Sequence, residues 1–551
     1  MDRVFKKIPN ISIIFLCIVI FLAAFLRFYQ LDINPPAINW DEAALGYNAF
    51  SLGIDGRDEF GRFLPFDYLE SFGDFKPPMY AYLTIIPVKI FGLNEYSTRF
   101  ASAFFGTFTV LITFFLVKSL FPSRRDLAYI TTAILAISPW HIMLSRAAFE
   151  ANVATFFIIV GVWLFLKAVQ EKPAFLLLSI MSFVASAYTF NSARIVAPLL
   201  LVCLSIGFRK KLISQKKYLF SSIVLGAILV LPIAFFLISP QASLRFKEVN
   251  IFSDIEILKL SNQEMSNSGN KMWAKVIHNR RIVYAREYTK HYFDNLNPSF
   301  LFDKGDGNPR FSTQDVGQMY KWDIPFFVVG ILFLIRRKEK NWWIVPIWMA
   351  IGIIPAAFAR ETPHALRIEG SLPTFQIITA YGVSEFLIWI ESAKGLFKKI
   401  KKPVLVLIAA VLIINSLYFL HGLFVHYPRE QSAEWLYGYE ESINYINSVE
   451  NNYDKIYFDD FLGRPYIYML FYKKYNPQKF RELANVTRDS FGFVHVKKIG
   501  KYNFQDALPT ETISDQKVLY INEIKSIPDS ARIKKIFYLK NKQPVMAAYT
   551  L

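Results

Sequence analysis

Apolar stretches about as long as a membrane-spanning helix recur along most of the chain. An α-helix needs about 20 apolar residues to cross about 30 Å of hydrocarbon. Such stretches lie at residues 11–31, 97–121, 127–145, 151–168, 174–190, 194–208, 218–239, 323–335, 342–358, 372–390 and 403–425. The pattern predicts a polytopic α-helical membrane protein with about 11 spans. We read the first stretch as an uncleaved span, because no small-residue cleavage pattern follows it.

Three polar segments interrupt or follow this pattern, at 32–96, 240–322 and 426–551. Within the first segment, residues 77–92 are apolar but are interrupted by Pro87 and Lys89. This pattern is typical of a helix lying at the membrane interface. The third begins with a helix-like pattern at 432–449 and continues with strand-like "KIYFDD", "FGFVHV" and "KVLYINEI". The chain is therefore predicted to have a transmembrane domain, 1–425, and a soluble α/β domain, 426–551.

Composition and charge agree with a membrane protein and add its orientation. The chain is 53% hydrophobic and only 19% charged, yet its net charge is +18. The basic clusters are "MDRVFKK", "PSRRD", "FRKKLISQKK", "IRRKEK" and "KGLFKKIKK". With a cytoplasmic N-terminus, all five fall on the inner side, as the positive-inside rule expects. The positive charge therefore reflects topology rather than a nucleic-acid partner, and the three polar segments are predicted to lie outside the cell membrane.

Cys17 and Cys203 carry no readable chemistry, because both fall in predicted spans and show neither a disulfide framework nor a metal-ligand spacing.

A pair of carboxylates follows the first predicted span, in "INPPAINWDEAALGYNAF". On one interpretation Asp41 caps a short helix and Glu42 complements its dipole. On the other, a partly desolvated carboxylate beside the membrane accepts a proton from a hydroxyl or holds a divalent cation. Local sequence leaves both open.

Cations accompany these acids on the predicted outer side. Lys76 precedes two prolines that fix the backbone, so it is either aimed at a ligand or reaches the lipid headgroups. In "SPWHIMLSRAAFEANVATFF", Arg146 and Glu150 are spaced for an intrahelical ion pair, or serve a site. In "ARETPHALRIEGSLP", Arg367 and His364 lie where the positive-inside rule disfavours arginine, which favours binding of an anion or lipid phosphate.

Five motifs, taken in their order along the chain, resemble those of a known family. "NWDEAALGYNAF", "KPPMYAYL", "GLNEYSTRFASAFFGTFTVLITFFLVKSLF", "SRAAFEANVATFF" and "PHALRIEGSLPTFQIITAYGV" occur in that order. Together, over roughly residues 10–400, they resemble the polyprenyl-phosphate-sugar-dependent glycosyltransferases of the C-type membrane (GT-C) fold. These are the relatives of protein O-mannosyltransferases and of the aminoarabinose transferase that modifies lipid A.

The resemblance implies an inverting transfer of a sugar on the outer face of a prokaryotic cell membrane. The donor would be a polyprenyl-phosphate sugar and the acceptor a hydroxyl on a protein, a glycolipid or a polysaccharide. Asp41 would match the acid that activates the acceptor, with Glu42 beside it. Glu150 would match a second acidic residue, although many relatives have Asp there. Lys76, Arg146, Arg367 and, less directly, His364 would contact the donor phosphate.

The chemistry is consistent without the family. A departing polyprenyl phosphate gains negative charge, which fixed cations stabilise where water is excluded, and one carboxylate suffices as the base. A divalent metal at Asp41 and Glu42 is compatible with these ligand types, but no spacing demands one.

Two alternatives stay open. An oligosaccharyltransferase would be favoured by a W-W-D-x-G motif in the tail, which is absent from the sequence. A transporter or flippase of a lipid-linked sugar or another anionic solute would be favoured by duplicated halves, and the sequence shows no repeat.

Overall fold

The computed structural model describes residues 9–240, 242, 250–460, 463–489, 494–505, 508 and 516–551. Its packing divides the chain into two compact units. The first, here the helical unit, comprises 1–27, 104–145 and 150–420. The second, here the mixed unit, comprises 28–103, 146–149 and 421–551. The segment 28–103, which the sequence analysis assigned to the transmembrane domain, thus packs with the tail.

Every predicted span falls on helical structure. The helices that carry these spans are Pro9–Phe28, Glu95–Leu120, Arg125–Ala136, Pro139–Ser145, Glu150–Gln170, Phe175–Ala187, Ala193–Gly207, Lys216–Leu237, Asp323–Arg337, Ile344–Ala357, Thr374–Ser392 and Leu396–His421. The largest cluster of buried apolar side chains in the helical unit includes the fully buried Trp348 and Tyr381. Helices that are apolar on nearly all sides are expected where helices pack together inside a bilayer.

The number of spans is not confirmed. Four helices are long and apolar enough to cross a membrane by length and composition, namely Glu95–Leu120, Glu150–Gln170, Lys216–Leu237 and Lys398–Glu430. Arg125–Ala136 and Pro139–Ser145 pass together but are bent by 56° at the break between them. Several of the other predicted spans form apolar helices of 10–17 residues, shorter than the about 20 residues of a straight crossing.

The predicted outer segment 240–322 is more regular than its polar sequence indicated. It contains the helices Ile255–Asn267, Met272–Ile277 and Arg280–Asp294. Asp254 and Asn279 cap the first and third of these, since each side chain accepts a hydrogen bond from a backbone N–H in the first turn. A short helix, Arg209–Ser214, also precedes Lys216–Leu237.

The mixed unit combines helices with a sheet. Its helices are Trp40–Asp55, Met79–Phe91, Tyr427–Glu430, Tyr439–Val449, Pro465–Tyr472 and Pro477–Leu483. Strands β1 (Leu69–Ser71) and β2 (Asp74–Lys76) form a hairpin. The remaining strands are β3 (Lys455–Asp459), β4 (Ala484–Arg488), β5 (Val494–Ile499), β6 (Tyr502–Gln505), β7 (Val518–Glu523), β8 (Arg532–Tyr538) and β9 (Pro544–Thr550).

Strands β3 to β9 form one sheet in the order β4-β5-β6-β3-β7-β9-β8. Among the described strands, β3 pairs in parallel with β6 and with β7, and the other pairs of this sheet are antiparallel. The three predicted strands correspond to β3, β5 and β7, although 491–493 of the second lie outside the described residues. The C-terminal α/β architecture is therefore confirmed.

The helix Trp40–Asp55 packs into the same core as the tail helix Pro465–Tyr472. Ala44 and Tyr47 belong to a cluster that also contains Ile467 and Phe471. At Gly46 a Cβ atom would lie 2.5 Å from Thr98 Oγ1 and 2.8 Å from the ring of Phe471. A glycine is therefore needed here for close approach, and this packing fixes the helix that carries Asp41 and Glu42.

Candidate functional site

The helix that carries the two carboxylates begins after Asn39, which is its N-cap. The Asn39 side chain accepts a hydrogen bond from the Glu42 N–H at 3.0 Å, and the Glu42 carboxylate accepts one from the Asn39 N–H at 3.2 Å. This reciprocal pair is a capping box. The interpretation of Asp41 as the cap is therefore wrong, because the residue two positions earlier fills that role.

Glu42 is fully enclosed by hydrogen-bond donors. Its side chain is 1% exposed and pairs with the guanidinium of Arg99, with distances of 3.0 Å from Nε to Oε1 and 3.1 Å from Nη2 to Oε2. The backbone N–H of Ala148 also donates to Oε1, at 2.8 Å. A carboxylate held by this many donors is fixed in place, which suits a positioning residue better than a proton acceptor.

Arg99 is a site residue that the sequence analysis missed. It lies in the first turns of the helix Glu95–Leu120 and is 0% exposed. Besides Glu42, its guanidinium donates to the carbonyls of Leu31, Pro35 and Ala37. It also lies 5.6 Å from the ring of Trp435. An arginine near the outer end of a predicted span, against the positive-inside rule, was the signal that could have found it.

Asp41 and Lys76 are brought together from positions 35 residues apart. Lys76 Nζ donates to Asp41 Oδ1 at 2.5 Å. The Asp41 side chain is 44% exposed, whereas that of Lys76 is 9% exposed. The carboxylate therefore faces solvent beside a largely buried cation. An ion pair with one exposed partner is worth only about 0.2–1 kcal/mol, so a ligand can displace it.

Arg146 is buried in the mixed unit, and its guanidinium donates hydrogen bonds to backbone carbonyls. Its Nη2 donates to the carbonyls of Tyr29 and Asn34, both at 2.8 Å, and its guanidinium lies 4.9 Å from the ring of Phe424. The helix that follows begins at Glu150, so the two residues do not share one helical face as the intrahelical pair would require. These contacts give Arg146 a role in holding the chain after the first predicted span.

The three remaining predicted site residues belong to the helical unit. Glu150 is half-buried and opens the helix Glu150–Gln170. His364 and Arg367 lie in the turn-rich segment before Thr374–Ser392, with His364 buried and its ring centroid 5.0 Å from that of Phe311. Burial, with a further contribution from Arg367, holds the pKa of His364 well below its usual range. His364 is therefore neutral at ordinary pH. The functional roles of all three stay predictions.

The donor set does not favour a metal at Asp41 and Glu42. Within the described parts of the chain, no three His, Cys, Asp or Glu side chains lie together as a metal site would require. The Glu42 oxygens already accept from Arg99 and from backbone N–H groups, and Asp41 accepts from Lys76. Metal dependence stays a prediction.

A buried acid, Glu59, lies in the same unit. It is 0% exposed, accepts a hydrogen bond from Asn48 Nδ2 at 3.3 Å and contacts the hydroxyl of Tyr466 at 3.4 Å. Burial raises the pKa of Glu59 well above its usual range, and the neighbouring Asp58 and Glu70 raise it further. Glu59 is therefore protonated where ordinary carboxyl groups are ionised.

In the wild type, the free energy of unfolding is expected to fall as the pH rises, because Glu59 must lose its proton. In Glu59→Gln this fall is expected to be absent. A folded-state pKa above the unfolded value means that the contribution of Glu59 is complete below the unfolded pKa and is lost as the pH rises through the folded one. Within that window the slope is at most about 1.4 kcal/mol per pH unit. Thermal unfolding across pH measures it, with Glu441→Gln, a half-exposed position in the same unit, as the control. Parallel curves for wild type and Glu59→Gln would contradict the assignment.

Comparisons with known proteins agree with this architecture. Residues 75–236 match the family "Dolichyl-phosphate-mannose-protein mannosyltransferase". A protein of Aquifex aeolicus with no described function is 34% identical over 101 residues, which are 18% of this chain and 20% of that protein. YkcB of Bacillus subtilis, provisionally named a mannosyltransferase, is 24% identical over 185 residues, which are 33% of this chain and 21% of that protein. The aligned part of the chain thus spans about a fifth of these curated relatives.

Solved structures extend the likeness to the whole chain. ArnT from Cupriavidus metallidurans bound to undecaprenyl phosphate superposes with a TM-score of 0.53 at 11% identity, over 98% of both chains. The oligosaccharyltransferase of Archaeoglobus fulgidus, tethered with an acceptor peptide containing the NVT sequon, superposes with a TM-score of 0.51 at 14% identity, over 85% of this chain and 63% of that one. At such low identity these matches show a shared fold. The resemblance carried by the sequence motifs is thereby confirmed: the chain has the GT-C glycosyltransferase fold and matches the dolichyl-phosphate-mannose-protein mannosyltransferase family over residues 75–236.

Proposed function

We propose that the protein is an inverting membrane glycosyltransferase that moves a sugar from a polyprenyl-phosphate donor to a hydroxyl acceptor on the outer face of the membrane. The observation that carries this proposal is the pair of Asp41 and Lys76, in which a solvent-facing carboxylate adjoins a largely buried cation. Glu42 and Arg99, both buried, hold the helix that presents Asp41. One group can thus take a proton while its neighbour faces a leaving phosphate.

The transfer is a single displacement. The acceptor oxygen attacks C1 of the donor sugar as the bond from C1 to the phosphate oxygen breaks. The acceptor proton passes to the Asp41 carboxylate, and the bonding electrons leave with the polyprenyl phosphate. A positioned general base of this kind contributes about 10²–10⁴-fold to rate. Since the acceptor is itself the nucleophile, no sugar-enzyme intermediate is required and the configuration at C1 inverts.

Lys76 would neutralise the charge that develops on the phosphate. In the structure its ammonium pairs with Asp41, and the weak pairing allows it to turn to a bound phosphate. A cation that is 9% exposed is poorly screened by water, so its effect on a departing anion is larger than that of a surface lysine. Binding of the donor would also release Asp41 to accept the proton.

The comparisons support a lipid-phosphate donor. The ArnT structure contains undecaprenyl phosphate, and a structure of the oligosaccharyltransferase AglB from Archaeoglobus fulgidus, with a TM-score of 0.51 at 13% identity, was solved with an inhibitory peptide and a dolichol-phosphate. We extend the donor class, though not the sugar, from these proteins to this chain. The acceptor would be a protein, a glycolipid or a polysaccharide. As the sequence resemblance implies, Glu150 would be the second acid, and Arg367 and His364 would contact the donor phosphate.

A donor panel tests the proposal. Purified protein in detergent is given radiolabelled polyprenyl-phosphate monosaccharides together with a mixture of cell-envelope acceptors, and release of free polyprenyl phosphate is followed. We expect release from one donor, matched by label in an acceptor fraction. Binding of a donor without release, together with movement of that donor across vesicle membranes, would instead support a flippase and overturn the transferase.

A further inference from the structure

The hairpin formed by β1 and β2, which ends at Lys76, is held by side chains of the C-terminal domain. We propose that Arg488, with Arg464 and Tyr466, positions Lys76 for the donor phosphate, so that the tail is part of the catalytic apparatus. This inference rests on the proposed function for its kinetic consequences. We call the three tail residues and the hairpin residues that they contact the hairpin clamp.

The hairpin is too small to fix its own position. Each strand has three residues, and Lys76 pairs with Leu69 at the open end. The turn residues Phe72 and Gly73 have φ values of +60° and +86°, which is the left-handed geometry of a tight two-residue turn. An isolated two-stranded hairpin is marginal in water even when it is longer. The place of Lys76 therefore depends on what the hairpin contacts.

An ion pair holds one strand of the hairpin to the sheet. Both guanidinium Nη atoms of Arg488 contact the two carboxylate oxygens of Glu70, with Nη2 to Oε2 at 2.8 Å. Glu70 is 7% exposed and Arg488 is 51% exposed. Arg488 is the last residue of β4, the edge strand of the seven-stranded sheet. This two-point geometry fixes orientation as well as distance.

The turn of the hairpin is held separately. The guanidinium of Arg464 lies 4.2 Å from the centroid of the Phe72 ring, and the Tyr466 ring meets Phe72 edge to face at 5.8 Å. Phe72 is 3% exposed. Both the turn and Glu70, which faces Phe75 across the hairpin, are thus attached to the tail. A shift of these attachments moves Lys76 with them.

Arg488 acts through Lys76 and is a positioning residue. This role does not require that Arg488 touch the donor. Loss of the attachment is expected to weaken the use of the donor phosphate while the acceptor step, which depends on Asp41, changes less. It is also expected to make the Lys76 amine more accessible, because the hairpin would move more freely.

The test compares Arg488→Gln and Arg488→Lys with Arg532→Gln, an exposed arginine on β8 at the opposite edge of the same sheet. For Arg488→Gln we expect the KM for the donor to rise about 5-fold with a smaller fall in kcat, as for loss of one partly exposed pair. Arg488→Lys should recover part of the loss, and Arg532→Gln should match the wild type. In a Lys76→Met background, Arg488→Gln should have no further effect on the KM.

A second readout does not depend on activity. Acylation of Lys76 by an amine-reactive reagent, followed by mass spectrometry, is expected to be about 5-fold faster in Arg488→Gln than in wild type or Arg532→Gln. Unchanged labelling together with a lowered melting temperature would overturn the positioning role. So would an equal effect on the KM in the Lys76→Met background. If labelling rises but no donor is consumed by the wild type, the proposed function fails and the clamp stands.

Discussion

Replacement of Asp41 by Asn is expected to reduce sugar transfer about 10³-fold or more while leaving the protein folded. The amide has the same shape but accepts no proton at neutral pH, so the step in which the acceptor hydroxyl is activated loses its base. Stability should change by no more than about 1 kcal/mol, because the ion pair of Asp41 with Lys76 is half-exposed. Initial rates with the donor found in the panel, together with a melting curve, measure both effects.

The affinity of Asp41→Asn for the donor distinguishes loss of the base from a structural defect, which would weaken donor binding. In the wild type, Lys76 pairs with Asp41, and a donor phosphate must compete for that cation. Removal of the Asp41 charge should therefore leave the affinity for the donor unchanged or make it tighter. Asp67→Asn is a matched control, since Asp67 forms a comparable, partly exposed pair with Arg62 in the same unit. Near-normal transfer by Asp41→Asn would remove Asp41 from the mechanism.

Much of the membrane part could be predicted because hydrophobicity is a local signal. Each apolar stretch, such as 218–239, falls on a helix, here Lys216–Leu237. The count of crossings does not follow so directly. Ala193–Gly207 contains Pro198 and is 15 residues long, and the stretch 127–145 is broken into two helices. Hydropathy identifies apolar helices, whereas their breaks and tilts depend on how neighbours pack.

The tail shows the same division between local and non-local signals. Strands β3, β5 and β7 have readable alternation or buried runs, whereas β4, with mostly exposed residues, has none. The association of 28–103 with the tail could not be predicted, because it arises from packing such as that of Tyr47 near Phe471 between segments hundreds of residues apart.

The sequence indicated which residue types to examine, whereas their positions and partners had to come from the structure, and their catalytic roles stay predictions. Asp41 and Lys76 do lie together. Glu42, however, accepts hydrogen bonds from Arg99, and Arg146 donates to backbone carbonyls. A carboxylate and its neighbour in sequence point in different directions on a helix, so only the partners reveal which one faces inward.

Arg99→Met is expected to be the most destabilising of the single substitutions considered. Arg99 is fully buried, pairs with Glu42 and donates to the carbonyls of Leu31 and Pro35. Its removal leaves a buried carboxylate without its counter-charge and buried carbonyls without donors. Breaking one side of such a pair costs about 3–5 kcal/mol. Thermal unfolding followed by tryptophan fluorescence, in detergent, measures this loss against Arg125→Met, which removes an exposed arginine and should cost less than about 0.5 kcal/mol.

Two companion variants separate charge from geometry. Arg99→Lys keeps the positive charge but lacks the planar fork that reaches Glu42 and several carbonyls at once, so it should recover only part of the stability. Glu42→Gln keeps an acceptor for the Ala148 N–H, and combining it with Arg99→Met should cost less than the sum of the two single losses, since no unpaired charge remains. Simple additivity, or an Arg99→Met protein as stable as Arg125→Met, would mean that this pair does not hold the Asp41 helix. Transfer would then have to depend on some other support for the base.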